Sequence, residues 1–241
     1  SITLDDDAAC WRAYTLTSRE ELAAASHDLQ PDDEPVTILQ DYLTREYEPP
    51  AHVRYLAIYQ CSARRPFSSS PSHGAINHAV VAATGLHPWR DRETCPVHVV
   101  VLAAKCGPMP YDLQDVYPAC IRAEGLAQLD AEEYAERRAV LARYMAGYLR
   151  AHAGRYAGIA TFTSGRWGDV MDAAKQAAGL DVEILPRAEG ATLTRLGSSA
   201  PHTYWQKHWI QLALAIMDWL PADERRAAEQ RLADMGAEWT V

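Results

Sequence analysis

Three short, almost uninterrupted apolar runs constrain this chain more than any other feature: Val53 to Tyr59, Val97 to Ala104 and Ala157 to Phe162. A strand with one wet face alternates apolar and polar residues, whereas runs this dense suit strands buried on both faces. A fourth, weaker run is Val182 to Leu185. Helix-patterned stretches lie between them. Residues 74–84 follow a Ser/Pro-rich loop, and residues 130–152 form a long amphipathic stretch with Asp130 as N-cap and Gly154 as stop. Residues 169–178 start at Asp169 and end before Gly179. Strand alternating with helix predicts right-handed crossovers and a three-layer α/β/α core around a mainly parallel, four-stranded sheet.

Helical extensions flank this core. Ser18 with Glu21 makes a capping box for a helix over 17–25, and Val36, Leu39, Tyr42, Leu43 and Tyr47 repeat at helical spacing until Pro49-Pro50 stops them. After Pro186 a polar stretch over 187–201 leads to a helix over 202–219, with Trp205, Trp209, Leu212, Ile216 and Trp219 near one face, and a charged helix over 222–235. The tryptophans read as packing against the domain or as a seam between two copies, so a homodimer stays open. The organisation expected is an acidic N-terminal extension over 1–50, an α/β core over 51–186 and a C-terminal extension over 187–241, forming one compact unit.

The net charge of −9 is concentrated: residues 1–50 hold twelve acids and three bases, and the other 191 residues balance. Proteins that bind nucleic acid draw most of their affinity from basic residues on phosphates. The missing basic excess argues for a small-molecule partner instead. No apolar run reaches transmembrane length, and the start of the sequence has neither the basic flank nor the apolar stretch of a signal peptide, so a cytoplasmic protein is expected. The five cysteines lack CxxC spacing. Cys95, His98 and Cys106 can be imagined around a metal but read more simply as loop and strand residues, and no cofactor is expected.

In a parallel sheet, ligands meet the loops that leave the C-terminal strand ends. The first such loop runs from Gln60 to His73 and offers Cys61, Ser62, Arg64, Arg65, Ser68, Ser70, Ser72 and His73. It enters a helix N-terminus, where free N–H groups and the dipole suit an anion or a polar heterocycle. Cys61 beside Arg64, Arg65 and that helix end is in a setting that favours the thiolate. The second loop, Lys105 to Pro118, is stiffened by Pro108 and Pro110 and carries Tyr117 and two candidate bases, Asp112 and Asp115. The third, Thr163-Ser164-Gly165-Arg166-Trp167, places two hydroxyls, a glycine for close approach and a ring that can stack on a ligand; Asp169 reads as a helix cap.

The segment from about Ile38 to Pro186 resembles the central domain of archaeosine synthase. Gln60-Cys61-Ser62-Ala63-Arg64-Arg65-Pro66-Phe67-Ser68-Ser69-Ser70-Pro71-Ser72-His73 is close to that family's Pro-Cys-Ser-x-x-Lys-Pro-Tyr-x-x-Ser-x-Ser-His pattern. Pro110-Tyr111-Asp112-Leu113, Tyr117-Pro118 and Thr163-Ser164-Gly165-Arg166-Trp167 also fit. The resemblance implies a fold similar to uracil-DNA glycosylases. It also implies a transferase that joins an amine, the side-chain nitrogen of lysine, to the nitrile of 7-cyano-7-deazaguanine. Gln60, Arg65 and Phe67 depart from the pattern, and the family's transglycosylase-like and RNA-binding parts are not in this sequence. A free deazapurine, a nucleoside or another nitrogen heterocycle, with an amino acid as amine donor, is therefore expected rather than transfer RNA. Cys61 either adds covalently or shapes the pocket. Asp112 or Asp115 accepts the ammonium proton, and the serines, His73, Pro110, Tyr117, Thr163, Ser164, Gly165 and Trp167 hold the substrates. Two other readings remain: an N-glycosidase with one of those carboxylates activating water, and a non-catalytic nucleobase-binding module.

Overall fold

A computed structural model of the chain describes residues 29–62, 64–120, 125–187 and 202–234. The helix expected over 17–25, most of the polar stretch after Pro186 and the side chain of Trp205 lie outside the described residues.

Helix α1 (Glu34–Arg45) begins with Pro35 in its first turn and buries Val36, Leu39 and Leu43, whose spacing of three and four residues puts them on one face. All four expected strands form: β1 (Tyr55–Gln60), β2 (Val97–Ala103), β4 (Gly158–Phe162) and β5 (Glu183–Leu185). A fifth, β3 (Gly107–Pro110), was not expected, and it corrects the four-stranded sheet to a mixed five-stranded one in the order β3-β2-β1-β4-β5. β3 runs antiparallel to β2, with Val100 opposite Pro110 and Ala103 opposite Gly107; the other pairings are parallel. Its Pro108 and Pro110 read as loop in the sequence because proline cannot donate to a ladder. An edge strand tolerates that loss.

The connecting helices are α2 (Pro71–Thr84), α3 (Ala131–His152) and α4 (Arg166–Ala178), followed by α5 (His202–Trp219) and α6 (Ala222–Asp234). Asp130 closes a capping box on α3, accepting from the Glu132 and Glu133 amides while Glu133 accepts from its own. α4 starts three residues before the expected Asp169: its N-cap is Gly165, and Asp169 accepts from the Tyr134 hydroxyl at 3.1 Å.

From β1 the chain steps to β2 on one side, then returns past β1 to β4 and β5 on the other. With right-handed crossovers, that reversal puts α2 on one face and α3 and α4 on the other. The packing agrees, since α2 contacts α5 and α6 while α3 contacts α1 and α4. Tyr55 stacks on Trp219 of α5 and Tyr59 meets His73 of α2 edge-on, so these β1 side chains face the α2 layer. His98, opposite Leu56, faces the α3 layer through Tyr156 and Tyr47. Helices thus cover both faces, and the strand order reverses between β1 and β4, where open α/β sheets form their ligand crevice.

Candidate functional site

β1 ends at Gln60 and β4 at Phe162, side by side, so the loops that follow them leave the same rim. Gln60 joins the two directly. Its Oε1 accepts from the Ser164 backbone N–H at 3.0 Å and from the Ser164 hydroxyl at 3.2 Å. In the third loop, Thr163 is buried, accepting from Thr161 and donating its backbone N–H to the Leu185 carbonyl at 2.7 Å. Gly165 has a φ of +53°, and no heavy atom beyond its chain neighbours lies within 4 Å of where a Cβ would sit, so backbone conformation and not crowding favours glycine here. Trp167 is half-buried at the start of α4.

Arg65 ties the first loop to the second. Its Nε donates to the Ala119 carbonyl at 3.0 Å, Nη1 donates to the Ser62 carbonyl at 2.5 Å, and the guanidinium lies 3.9 Å above the Phe67 ring. Nη2 also donates to Cys61 Sγ at 3.7 Å. Cys106 donates to the Pro118 carbonyl, and the Ser68 amide donates to Gln114 Oε1 at 2.8 Å, which holds the returning half of the second loop against the first. Burial pushes the Cys106 thiol up to about 12 and raises Cys120 as well. Both are therefore protonated near neutrality. Cys61 is half-buried, and its thiol donates to the Ser62 carbonyl at 3.5 Å. Tyr117 is half-buried near Cys106 and Cys120, and Asp115 is exposed near Cys120.

Several expected ligand groups serve the fold instead. Ser70 is the N-cap of α2: its Oγ accepts from the His73 amide and its carbonyl from the Gly74 amide. The N–H groups expected to meet an anion are thus partly taken by the chain itself. His73 is fully buried, with Nε2 2.9 Å from the Gln60 carbonyl and Nδ1 2.9 Å from the Tyr111 hydroxyl. Burial lowers it to about 4, so the imidazole is neutral. A carbonyl can only accept, so Nε2 carries the proton and Nδ1 accepts from Tyr111. Pro110 is buried inside β3. Ser62 and Ser72 bond within their own segment, Ser62 to the Arg64 carbonyl and Ser72 with Ser70 Oγ, and Arg64 is exposed.

Asp112 is not brought to the rim. β3 runs back along β2, so Asp112 emerges beside His98, level with Leu56 at the start of β1. Gln60 lies four residues further along, about 13 Å at strand rise. Asp112 accepts from the Tyr47 hydroxyl at 2.9 Å and lies 3.2 Å from His98 Nε2, while His98 Nδ1 meets the Tyr156 hydroxyl at 2.7 Å. Burial raises this carboxyl, but the His98 and Tyr47 hydrogen bonds outweigh it and hold it below its ordinary value. A lone histidine within a valine-rich strand was the available signal, because a buried polar group needs partners. The imagined metal set fails on distance, since Cys95 precedes β2 and Cys106 follows it, about 20 Å apart along the strand. Among the described residues, no three His, Cys, Asp or Glu side chains are placed to hold a metal, and no helix is long and apolar enough to cross a membrane.

A cleft of about 970 Å³ runs beside β4 and β5, lined by Thr163, Ser164, Gly165, Asp169, Lys175 and Arg187 among others. It reaches the third loop but not Cys61 or Tyr117.

A family described as a domain of unknown function (DUF5591) matches residues 36–196, a span that contains all but the first two residues of α1, the whole sheet and all three loops. No curated protein matches the chain. A solved structure described as AF0587, a protein of unknown function, is similar with a TM-score of 0.44 and 11% identity. That match covers 84% of this chain and 51% of the other, so this chain spans about half its neighbour's length.

Proposed function

The chain belongs to the DUF5591 family, described as a domain of unknown function, and we propose that it is an enzyme that joins an amine to a nitrile, or a comparable electrophile, carried by a flat nitrogen heterocycle of the 7-deazaguanine type. The observation that carries this reading is the contact between Arg65 and Cys61, in a loop tied to the turn at 163–165 through Gln60. The sequence resemblance to archaeosine synthase supplies the substrate class, and its implied likeness to uracil-DNA glycosylases belongs to this same proposal.

The step balances without an external oxidant or reductant. Cys61 sulfur adds to the nitrile carbon, its proton goes to the nitrile nitrogen, and a thioimidate forms. An amino-acid amine then attacks that carbon, the C–S bond breaks, and an amidine leaves as the thiol recovers its proton. The Arg65 guanidinium is positioned to stabilise negative charge on the sulfur in both directions. Asp115, at the exposed edge of the second loop, is the carboxylate available to take the ammonium proton. Asp112 faces His98 and Tyr47 instead, which leaves the N-glycosidase alternative with Asp115 alone of its two candidate carboxylates.

The test is incubation with 7-cyano-7-deazaguanine and an amino-acid panel including lysine, followed by mass analysis of the products. The expected product has the summed mass of the two substrates, and Cys61→Ala abolishes it. Free base released from nucleosides would replace this reading with glycoside cleavage. No product, with the heterocycle still bound, would replace it with a binding module.

A further inference from the structure

We propose that Gln60 and Ser164 form a two-point reader for a cis-amide edge, the adjacent C=O and N–H of a lactam ring. The inference rests on the heterocycle-binding reading above and assigns which edge of the ring is recognised. The Ser164 backbone N–H can only donate, so the atom of Gln60 that faces it must be the amide oxygen, and the side-chain orientation is determined. The Ser164 hydroxyl also donates to that oxygen. Two groups remain unused. Gln60 Nε2 has no hydrogen-bond partner among the described residues and is left as a donor. Ser164 Oγ has spent its hydrogen and keeps its lone pairs as an acceptor.

Both groups adjoin one amide oxygen, Nε2 within the same side chain and Oγ 3.2 Å from it, at the point where the strand order reverses. A lactam presents the complementary pair on neighbouring atoms: its carbonyl accepts from Nε2, and its N–H donates to Oγ. An edge without the N–H leaves Ser164 Oγ unpaired, and an edge without an acceptor leaves Nε2 unpaired. Both residues are half-buried, which allows contact while limiting competition from water.

The experiment follows the Gln60 side-chain amide resonances by NMR, assigned by their loss in Gln60→Met. The probes are 2-pyridone, which has the lactam edge, 2-methoxypyridine, which lacks the N–H, N-methyl-2-pyridone, which keeps the carbonyl and loses the N–H, and 7-cyano-7-deazaguanine. The expected result is a shift with 2-pyridone, with affinity at least about tenfold above 2-methoxypyridine. Gln60→Glu, followed through the Ser164 backbone amide, keeps an acceptor for Ser164 but exchanges the outward donor for an acceptor, so it loses 2-pyridone. Equal responses to all three fragments, or a folded Gln60→Glu protein with unchanged selectivity, overturns the inference. If 2-pyridone binds at Gln60 but the deazaguanine does not, the proposed substrate falls and the edge reader stands. If the deazaguanine binds without edge discrimination, the reverse holds. If neither binds, both fall.

Discussion

His73 is completely enclosed, stacked on Phe67 and Tyr111, with both ring nitrogens partnered. Its ordinary value of 6.5 applies to the unfolded chain, and burial lowers it to about 4 in the folded one. Between those values the unfolded state binds the extra proton. Its contribution is therefore fully present above about pH 6.5 and declines as the pH falls toward 4, by about 3 kcal/mol in total. His73→Gln keeps hydrogen-bonding capacity but does not titrate. It is expected to cost about 1–3 kcal/mol at pH 7 and to flatten the dependence of urea midpoints between pH 7 and 4.5. Parallel curves for the two proteins would remove His73 from the acid response. The sequence had offered this residue as a ligand contact. Only its enclosure by residues 13 and 38 positions away reveals an anchor for the first loop.

Among the elements, α5 is seated by a close approach that depends on Gly158. A Cβ at that position would lie 2.1 Å from the Trp219 ring, which also stacks on Tyr55. Gly158→Ala must therefore displace the tryptophan or the strand, and a loss of about 1–3 kcal/mol is expected, read as a lower Tm with altered tryptophan fluorescence. Gly74, inside α2, provides the contrast, because nothing lies within 4 Å of its added Cβ. Gly74→Ala should gain about 0.5–1 kcal/mol through helix propensity. Equal effects from both substitutions would show that the Trp219 contact does not seat α5. The expected packing role holds for Trp209, which is buried, and for Trp219 on Tyr55.

Across the whole molecule the polar chemistry divides between the two ends of one sheet. The Cys61–Arg65–Gln60–Ser164 group occupies the C-terminal rim, and the Asp112–His98–Tyr47 group the opposite end. Substitutions at the two ends should separate. Asp112→Asn is expected to lower Tm while leaving heterocycle binding unchanged, because it weakens a contact that holds α1's following segment to β2. The depressed Asp112 carboxyl contributes stability at neutral pH that is lost as pH falls through its folded value, so the Tm gap should narrow in acid. Cys61→Ala is expected to do the reverse, keeping Tm within a few degrees while losing amidine formation. Loss of binding in Asp112→Asn with Tm intact would place the chemistry at the other end of the sheet.

The four parallel strands, their crossover helices and the three candidate loops were legible because each leaves a local mark: a dense apolar run, a helical period, a cap, or a break by proline or glycine. What no local mark could carry was which side chains meet. β3 was hidden because its prolines look like loop until an edge position makes their missing N–H groups harmless. Asp112 looked equivalent to Asp115 until the antiparallel return of β3 carried it to the far end of the sheet. Gln60, visible only as a residue where a related pattern has proline, became the link between two loops once the reversal of strand order set β1 beside β4. Local patterning determines which segments are buried and how they are shaped, because propensity and periodicity act over a few residues. The pairing of side chains separated by a hundred positions depends on strand order, and the folded sheet alone decides it.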